Sequence, residues 1–286
     1  MKKKSVDTVV EDIYAKINLL SSGKSLNVSD AQLDKFSKGM REALKTWLTP
    51  KKGKKNNLRM SNIGRPSRQL WYDINSDIKD RVFPPATMIK FLFGHILEPL
   101  VLFLVELAEH EVTDEQKEVT INGVKGHMDC KIDGEVVDIK SASSFAFRKF
   151  KYGTLPEKDS FGYIAQLAGY EQGENTKDGG FLAINKESGE LSLFKPQGLD
   201  KPNVSQKIQD IKEMLKEEEP PSLCYLPVHE GKYGNLKLPT ECKYCIHKFE
   251  CHKDANNGRG LRTFKYSRGL TYFTKIVREP RVEEVA

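Results

Sequence analysis

Long apolar runs are scarce in this chain of 286 residues. The most apolar segment, residues 96–107, is interrupted by Glu98 and Glu106, and it falls short of the roughly 18 residues that cross a membrane. The basic N-terminus is not followed by the apolar segment of a secretory signal. These absences predict an intracellular, cytoplasmic protein without a membrane partner.

A strong excess of charge of one sign is also missing. Charged residues make up 30% of the chain and hydrophobic residues 38%, with a net charge of +6, which is an ordinary globular balance. The mild basic excess permits an anionic partner without requiring one. One basic run is compatible with a solvated surface and with an arm that contacts phosphates: Lys51, Lys52, Lys54, Lys55 and Arg59.

Cysteine is rare and unevenly distributed. Four of the five cysteines lie in the last quarter of the chain: Cys224, Cys242, Cys245 and Cys251. In an intracellular protein such clustering indicates a metal site more than a disulfide framework. Four thiolates suit Zn²⁺ or an iron–sulfur cluster, and His229, His247 and His252 are alternative ligands that would favour zinc. A set of reduced, unliganded cysteines is the remaining interpretation.

The hydrophobic periodicity changes along the chain and predicts an α/β fold. Helical spacing is found in residues 5–48, 66–80, 86–110, 160–174 and 204–218, and strand-like alternation in residues 116–121, 124–132, 135–141, 181–185 and 191–195. This order predicts a mixed β-sheet flanked by helices. We expect an N-terminal helical extension with a basic linker (1–58), a core (59–218) and a C-terminal Cys-rich subdomain with a basic tail (219–286).

One predicted β-hairpin brings two carboxylates together. The Asn-Gly and Asp-Gly dipeptides at 122–123 and 133–134 are strong signals for tight turns. With the second as the turn, Asp129 faces Asp138 across the ladder, and Lys140 points to the same side. Ile139, between them, points into the core. A D-x-K tripeptide alone is also common on solvent-facing hairpins, so the facing Asp129 strengthens the interpretation.

Two close carboxylates and a lysine suit hydrolysis of a phosphate ester. Carboxylate oxygens hold a hard cation such as Mg²⁺ while leaving positions open for water and phosphate. The cation polarises the phosphate and lowers the pKa of bound water. The lysine orients that water or stabilises the charge that develops on the phosphate.

Two helical motifs add polar groups. His95 and Glu98 share a helix face, and Glu98 lies in an apolar segment where a carboxylate is costly to bury unless it is paired or bound to metal. Gln166 and Tyr170, four residues apart, offer an amide and a hydroxyl to a phosphate or a base. In the alternative interpretation both motifs are polar helix edges that meet solvent.

Together these motifs resemble the RecB-like branch of the PD-(D/E)xK nuclease superfamily. That branch has G-H-x-x-E on a helix, G-H-x-D, (D/E)-x-K on the next strand and Q-x-x-x-Y on a helix, and the matching segments here are 94–98, 126–129, 138–140 and 166–170. The resemblance covers residues 60–255 and implies a restriction-endonuclease-like core. Compact chains of this kind are similar to phage-type exonucleases and to mitochondrial genome maintenance exonuclease.

The resemblance also implies roles for individual residues. The implied metal ligands are Glu98, Asp129, Asp138 and the Ile139 backbone carbonyl, with His95 as a further ligand or near neighbour. Lys140 matches the catalytic lysine. Ser141 and Ser143 are expected to touch the scissile strand, and Arg68 matches an early arginine that holds DNA phosphate.

The C-x₂-C-x₅-C spacing of the last three cysteines is similar to that of iron–sulfur members of the branch, such as AddB-type and CRISPR-associated nucleases. Their fourth cysteine lies in a C-P-R segment, but the corresponding stretch here is Pro66-Ser67-Arg68, so Cys224 is the expected replacement. The four cysteines could therefore hold either zinc or a 4Fe-4S cluster, and either one would fasten the C-terminal tail to the core. Cys130 alternates with Asp129 and is expected in the core.

The resemblance implies a DNA exonuclease that depends on Mg²⁺ or Mn²⁺ and acts on linear single strands or duplex ends, in phage DNA recombination or replication or in degradation of host DNA. A helicase P-loop pattern is absent, so unwinding would need a helicase partner. A single-strand-binding or annealing protein is a further expected partner. The rival functions are an endonuclease on the same core and a non-catalytic DNA-binding or assembly protein.

The basic C-terminal tail has two interpretations. Arg262, Lys265 and Arg268 alternate with Phe264 and Tyr266, a pattern that can hold phosphates and stack bases. The alternative is a docked C-terminal helix.

Overall fold

A computed structural model describes residues 4–49, 57–76 and 83–285. The chain forms two compact units, one of Met1–Gly64 with Val82–Asp210 and the other of Arg65–Arg81 with Ile211–Ala286. These boundaries differ from those expected, because the N-terminal helices group with the central sheet and the segment that starts at Arg65 groups with the C-terminal part. The lysines of the basic run at 51–55 lie outside the described residues.

The predicted helical segments are present in the described chain with ends shifted by a few residues, and residues 77–80 of the segment predicted over 66–80 lie outside the described residues. The α-helices are α1 (Val9–Ser21), α2 (Asp30–Leu48), α3 (Ser67–Asn75), α4 (Pro85–Leu107), α5 (Ser144–Lys151), α6 (Tyr163–Glu174), α7 (Val204–Met214), α8 (Thr240–Lys243), α9 (Lys248–Cys251) and α10 (Ala255–Gly258). Helices α5, α8, α9 and α10 were not predicted.

The strands form a mixed sheet in the first unit and an antiparallel sheet in the second. They are β1 (Val112–Thr113), β2 (Glu118–Ile121), β3 (Val124–His127), β4 (Cys130–Ile132), β5 (Glu135–Ala142), β6 (Gly180–Asn185), β7 (Leu191–Phe194), β8 (Val228–Glu230), β9 (Asn235–Lys237), β10 (Arg262–Tyr266), β11 (Gly269–Lys275) and β12 (Glu284–Val285).

The central sheet has the order β1-β4-β5-β6-β7, and β5 and β6 run parallel while the other neighbours are antiparallel. The predicted mixed α/β class is therefore confirmed. Strands β2 and β3 form a separate two-stranded sheet. The order in the second unit is β12-β10-β11-β9-β8.

Both predicted tight turns are present. Residues 122, 123, 133 and 134 all have positive φ, as a two-residue turn with an Asn-Gly or Asp-Gly sequence requires. The turns set the registers Ile121 opposite Val124 and Ile132 opposite Glu135.

The predicted strand over 124–132 is wrong in one respect, because it is interrupted at Met128 and Asp129. Their backbone groups bond to the preceding loop: the Met128 N–H donates to the Lys117 carbonyl at 3.0 Å, and the Asp129 carbonyl accepts from the Gln116 N–H at 3.0 Å. The ladder with β5 therefore ends at Cys130 opposite Val137. Asp129 lies one position beyond it.

Helix α4 is more apolar than the sequence analysis predicted. Among the described residues it is the one helix long and apolar enough to cross a membrane by length and composition, with a mean hydropathy of 1.9 over its best window. The expectation that no segment approaches a membrane span is therefore wrong by this measure. The helix contacts α1, α2 and β5, and Val101, Leu102 and Val105 are buried in the same cluster as Cys130 and Ile139. A helix in the core of a soluble protein can be as long and as apolar as α4.

The expected core positions of Cys130 and Ile139 are confirmed, since both are buried in that cluster. The C-terminal tail, in contrast, forms strands β10 and β11 rather than a helix. Phe264 is buried, and Arg262 pairs with Glu279 and Glu284 at 2.7 and 2.6 Å. These two residues are thus committed to the fold: they lie on the same face of β10, and the Arg262 guanidinium carbon is 5.3 Å from the Phe264 ring centroid.

Candidate active site

Strand β5 carries the centre of the candidate site. Asp138 and Lys140 alternate with Ile139 and so share a face of the sheet. Asp138 is only 1% exposed, and its Oδ2 atom forms an ion pair with the Lys140 ammonium. That oxygen otherwise accepts no hydrogen bond of suitable geometry from the described residues. A buried carboxylate oxygen with one cation beside it retains capacity to bind a second charge.

Asp129 reaches the same segment from beyond the end of β4. Its Oδ2 atom accepts a hydrogen bond from the Ile139 N–H at 2.7 Å, so the break in the strand turns its carboxylate onto β5. Burial raises the pKa of Asp129 well above its usual range, and the negative charges of Asp138 and Glu98 raise it further. The site thus stores electrostatic repulsion that a cation would relieve.

Glu98 approaches from helix α4. Gln116 donates a hydrogen bond to its Oε1 atom at 2.7 Å. Burial raises the pKa of Glu98 and the Asp138 charge adds to this, although the Gln116 bond opposes the rise. The helix comes near β5 at Gly94, where an added Cβ would lie 3.7 Å from the Ser141 Oγ atom. Three carboxylates therefore influence one another at the centre of the sheet.

The predicted neighbour His95 is exposed on α4. Among the described residues no hydrogen bond from its ring to the three carboxylates is found. Ser143 also has a local role, because its side chain caps α5 by accepting from the Ala146 N–H at 3.4 Å. The described hydrogen bond of Ser143 therefore belongs to the start of α5 and not to the carboxylates.

Lys140 is a protonated lysine in this environment. Burial lowers the pKa of its ammonium group, but the charges of Asp138 and Asp129 outweigh that effect and raise the pKa above its usual range. Its Nζ atom also lies 4.5 Å from the ring centroid of Tyr163, a favourable cation–π distance. Such a lysine supplies positive charge and N–H donors and does not act as a base at neutral pH.

Gln166 and Tyr170 face the site from helix α6, but they bond to protein atoms. The Gln166 amide donates to Asp138 Oδ1 and to the Tyr170 hydroxyl, both at 3.3 Å. The Tyr170 hydroxyl donates to the His127 carbonyl at 2.8 Å, and burial raises the pKa of Tyr170 to about 12. In the described structure these two residues hold Asp138 and the end of β3, and the expected contact with a phosphate or a base stays a prediction.

Each carboxylate in this arrangement already has a protein partner: Gln116 for Glu98, the Ile139 N–H for Asp129 and Lys140 for Asp138. Within the described ranges, no three His, Cys, Asp or Glu side chains lie close enough together to hold a metal ion. The chemistry of the donors nevertheless fits a hard divalent cation, because all three are carboxylates and two of them have raised pKa values.

The four C-terminal cysteines line a single small cavity in the second unit. Its volume is about 30 Å³, and its lining also includes Arg68, Tyr72, His247 and His252. The Arg68 Nε–H donates to Cys251 Sγ at 3.1 Å, and its other nitrogens bond to the Pro220, Pro221 and Cys251 carbonyls.

The expected phosphate contact of Arg68 is therefore not what the described structure shows, since its guanidinium is engaged at the cysteines. Burial raises the pKa of the Cys242 thiol to about 12, and the neighbouring cysteines contribute. A bound cation would reverse this effect, because it favours the thiolate.

One histidine of this cavity has an unpaired ring nitrogen. His247 is 2% exposed, and its Nε2 atom bonds to Asp73 at 2.7 Å. Asp73 is fixed in turn by Arg65 at 2.7 Å. The Nδ1 atom of His247 is buried and has no hydrogen-bond partner among the described residues. His229, in contrast, is exposed on β8 and does not line the cavity.

Three contributing residues were missed by the sequence analysis. Gln116 and Tyr163 contact Glu98 and Lys140, and Asp73 positions His247. Gln116 and Asp73 carry no local signal, because their roles come from contacts distant in sequence. Tyr163 could have been noticed, since it lies two helical turns before Tyr170 and three residues before Gln166.

Comparisons with known proteins give little further information. No protein-family model matches the chain, and no curated protein matches it. Among solved structures, the chain is similar to the one named "Crystal structure of SSO0001", with 18% sequence identity and a TM-score of 0.41. The match covers 74% of this chain and 92% of that chain. A likeness this distant indicates neither a family nor a function.

Proposed function

We propose that this protein is a nuclease that uses a divalent metal ion to hydrolyse phosphodiester bonds in DNA, and that it acts as an exonuclease. The observation that carries the proposal is the set of three buried or half-buried carboxylates and one protonated lysine around a single strand, β5. Burial raises the pKa values of Asp129 and Glu98, and repulsion from Asp138 raises them further, so this grouping of carboxylates is electrostatically unfavourable without a cation. Such perturbed groups are typical of functional sites.

Glu98, Asp129, Asp138 and the Ile139 carbonyl would hold Mg²⁺ or Mn²⁺. When bound there, the cation would supply positive charge to the phosphate and would lower the pKa of a water molecule. Lys140 offers its N–H donors to the charge that develops on the phosphate oxygens. Gln166 fixes the orientation of Asp138, so that one carboxylate oxygen faces the amide and the other faces the lysine.

The experiment compares linear single-stranded DNA, linear duplex and covalently closed circles in Mg²⁺, Mn²⁺ and EDTA. Metal-dependent loss of linear DNA with the circles spared supports the exonuclease. Cleavage of circles would replace it by an endonuclease on the same core. Binding without cleavage of any substrate would refute the nuclease and favour a non-catalytic DNA-binding or assembly protein.

An exonuclease of this kind would meet its substrate at DNA ends inside the cell, in phage recombination and replication or in degradation of host DNA. Its proposed partners are a helicase and a single-strand-binding or annealing protein. Co-purification of these partners on a DNA end, compared with the protein alone, tests the association.

We also propose that the four cysteines hold a structural Zn²⁺ ion or a 4Fe-4S cluster. Three observations fit: the sulfurs share one cavity, Cys251 accepts an N–H bond from Arg68, and His247 has an unpaired buried Nδ1 atom. A histidine ligand with its other nitrogen on a carboxylate is common at zinc sites, whereas four cysteines suit either metal. Metal analysis and visible absorption of protein purified without oxygen distinguish the two.

Replacing Cys242 with serine is expected to remove the bound metal and to lower the melting temperature by at least about 5 °C, because metal binding contributes free energy of folding. The rate of cleavage by the remaining folded protein should change much less. Differential scanning fluorimetry with metal analysis measures both. Cys130→Ala is the control, since it removes a core thiol and should leave the metal content unchanged. A stable Cys242→Ser protein with full metal content would refute the site.

A further inference from the structure

An exposed aromatic ring lies in the turn before helix α6. Phe161 is 60% exposed. Its ring stacks on Tyr163 with a centroid distance of 5.4 Å and an angle of 16° between the planes. One side of Phe161 is thus supported by another ring, while much of the remaining surface is open to solvent.

The supporting ring is anchored in the core of the first unit. Tyr163 packs against Phe150 and Phe181, each with a centroid distance of 6.3 Å. Both of these phenylalanines are buried. The stack therefore runs from the interior to the surface and holds Phe161 in a defined orientation.

The backbone of the turn is fixed as well. The Asp159 carboxylate accepts hydrogen bonds from the N–H groups of Gly162 and Tyr163 at 2.9 Å and of Ile164 at 2.8 Å. Gly162 has a φ of 78°, and a Cβ there would lie 2.2 Å from the Gly64 carbonyl carbon. Because these contacts restrain the turn, Phe161 has little conformational entropy to lose when it binds a ligand.

The same stack touches the candidate active site. The Lys140 ammonium lies 4.5 Å from the Tyr163 ring centroid and forms the ion pair with Asp138. An exposed apolar ring and a cation suited to phosphate are thus both in contact with the Tyr163 ring. This is the combination with which proteins bind single-stranded nucleic acid, since every base has an aromatic face and every nucleotide a phosphate.

We propose that Phe161, supported by Tyr163, is a stacking platform for an unpaired DNA base whose neighbouring phosphate lies at Lys140. The inference rests on the proposed nuclease function and narrows its substrate to single-stranded ends. In a duplex the base faces are covered by neighbouring base pairs, so the platform discriminates in favour of unpaired bases without reading sequence.

The experiment measures binding in EDTA, where no cleavage occurs, to three fluorescent DNAs: a single strand, the same strand with a stretch of abasic sites, and a blunt duplex. The wild-type protein should prefer the single strand to the abasic strand. Phe161→Ala should weaken binding of the single strand by about ten-fold and leave binding of the abasic strand unchanged. Phe161→Leu should lose the same preference because it has no ring, and Phe161→Tyr should retain it.

Phe249→Ala is the matched control. Phe249 is an exposed phenylalanine that also contacts a tyrosine ring and a lysine ammonium, Tyr272 and Lys248, but it belongs to the second unit. Its replacement should leave the preference for bases over abasic sites unchanged. A similar loss in this control would overturn the assignment to Phe161.

The outcomes separate the platform from the nuclease proposal. The platform is refuted, even when the protein cleaves DNA, if Phe161→Ala keeps the wild-type preference for the single strand over the abasic strand. It is also refuted if Phe161→Ala weakens binding of the two strands equally. If the preference depends on Phe161 but no substrate is cleaved in metal, the nuclease proposal fails and the platform stands. Absence of any DNA binding by the wild-type protein would refute both.

Discussion

Replacing Lys140 with alanine is expected to reduce metal-dependent DNA cleavage by at least about a hundred-fold, the loss typical when one group that stabilises transition-state charge is removed. The raised pKa keeps Lys140 protonated, so in the proposed reaction it would contribute positive charge and hydrogen bonding at the phosphate. DNA binding in EDTA should be weakened by loss of the proposed phosphate contact at Lys140 but should persist, because the proposed platform at Phe161 remains. The rate of release of labelled nucleotides at saturating DNA measures the effect.

Two further variants make this result interpretable. Lys140→Ala leaves the buried Asp138 carboxylate without its cation, which is costly for folding, so Lys140→Arg is measured beside it. Arginine keeps the charge but not the geometry of the ammonium, and we expect it to restore the melting temperature more than the rate. Lys149→Ala is the neutral control, since the Lys149 ammonium bonds the Lys158 carbonyl at the surface of the described structure. Near-normal turnover by Lys140→Ala would show that Lys140 takes no part in cleavage.

The parts of the fold that depend on local sequence could be predicted. The turn at 133–134 fixes the register of β4 on β5, and the two-residue period of a strand then places Asp138 and Lys140 on one face with Ile139 in the core. Both consequences need only the turn residues and the alternation. The spacing of apolar residues likewise predicts helix α4, which spans Pro85–Leu107.

The parts that depend on distant contacts could not be predicted. The break at Asp129 comes from bonds to the backbone of residues 116 and 117, a loop without any distinctive sequence. The second sheet joins short strands that are distant in the chain, such as β9 with β11. Arg68 resembled a phosphate-binding residue by its position, yet it bonds to Cys251, 183 residues away. Such pairings appear only when the packing is known.

Burial of the carboxylates, together with the repulsion among them, makes stability depend on pH in a defined direction. The pKa values of Asp129 and Glu98 are raised in the folded protein. At a pH between the unfolded and folded values the native state therefore holds more protons than the unfolded state. Stability of the metal-free protein must fall as pH rises through that window, and a bound cation should reverse the loss. Under the proposed function, this loss of stability accompanies a site that binds a cation.

Replacing Asp129 with asparagine should therefore stabilise the metal-free protein while it abolishes cleavage. The amide oxygen can still accept from the Ile139 N–H, which the carboxylate binds at 2.7 Å, and the like charge is gone. We expect the melting temperature at pH 8 in EDTA to rise by about 2–4 °C for each kcal/mol gained, with the gain shrinking as the pH is lowered through the folded pKa of Asp129. Addition of Mg²⁺ or Mn²⁺ should stabilise the wild-type protein and not the variant. A variant that is less stable than the wild-type protein at every pH would show that the Asp129 charge is compensated within the fold, and a variant that still gains stability from the metal would exclude Asp129 as a ligand.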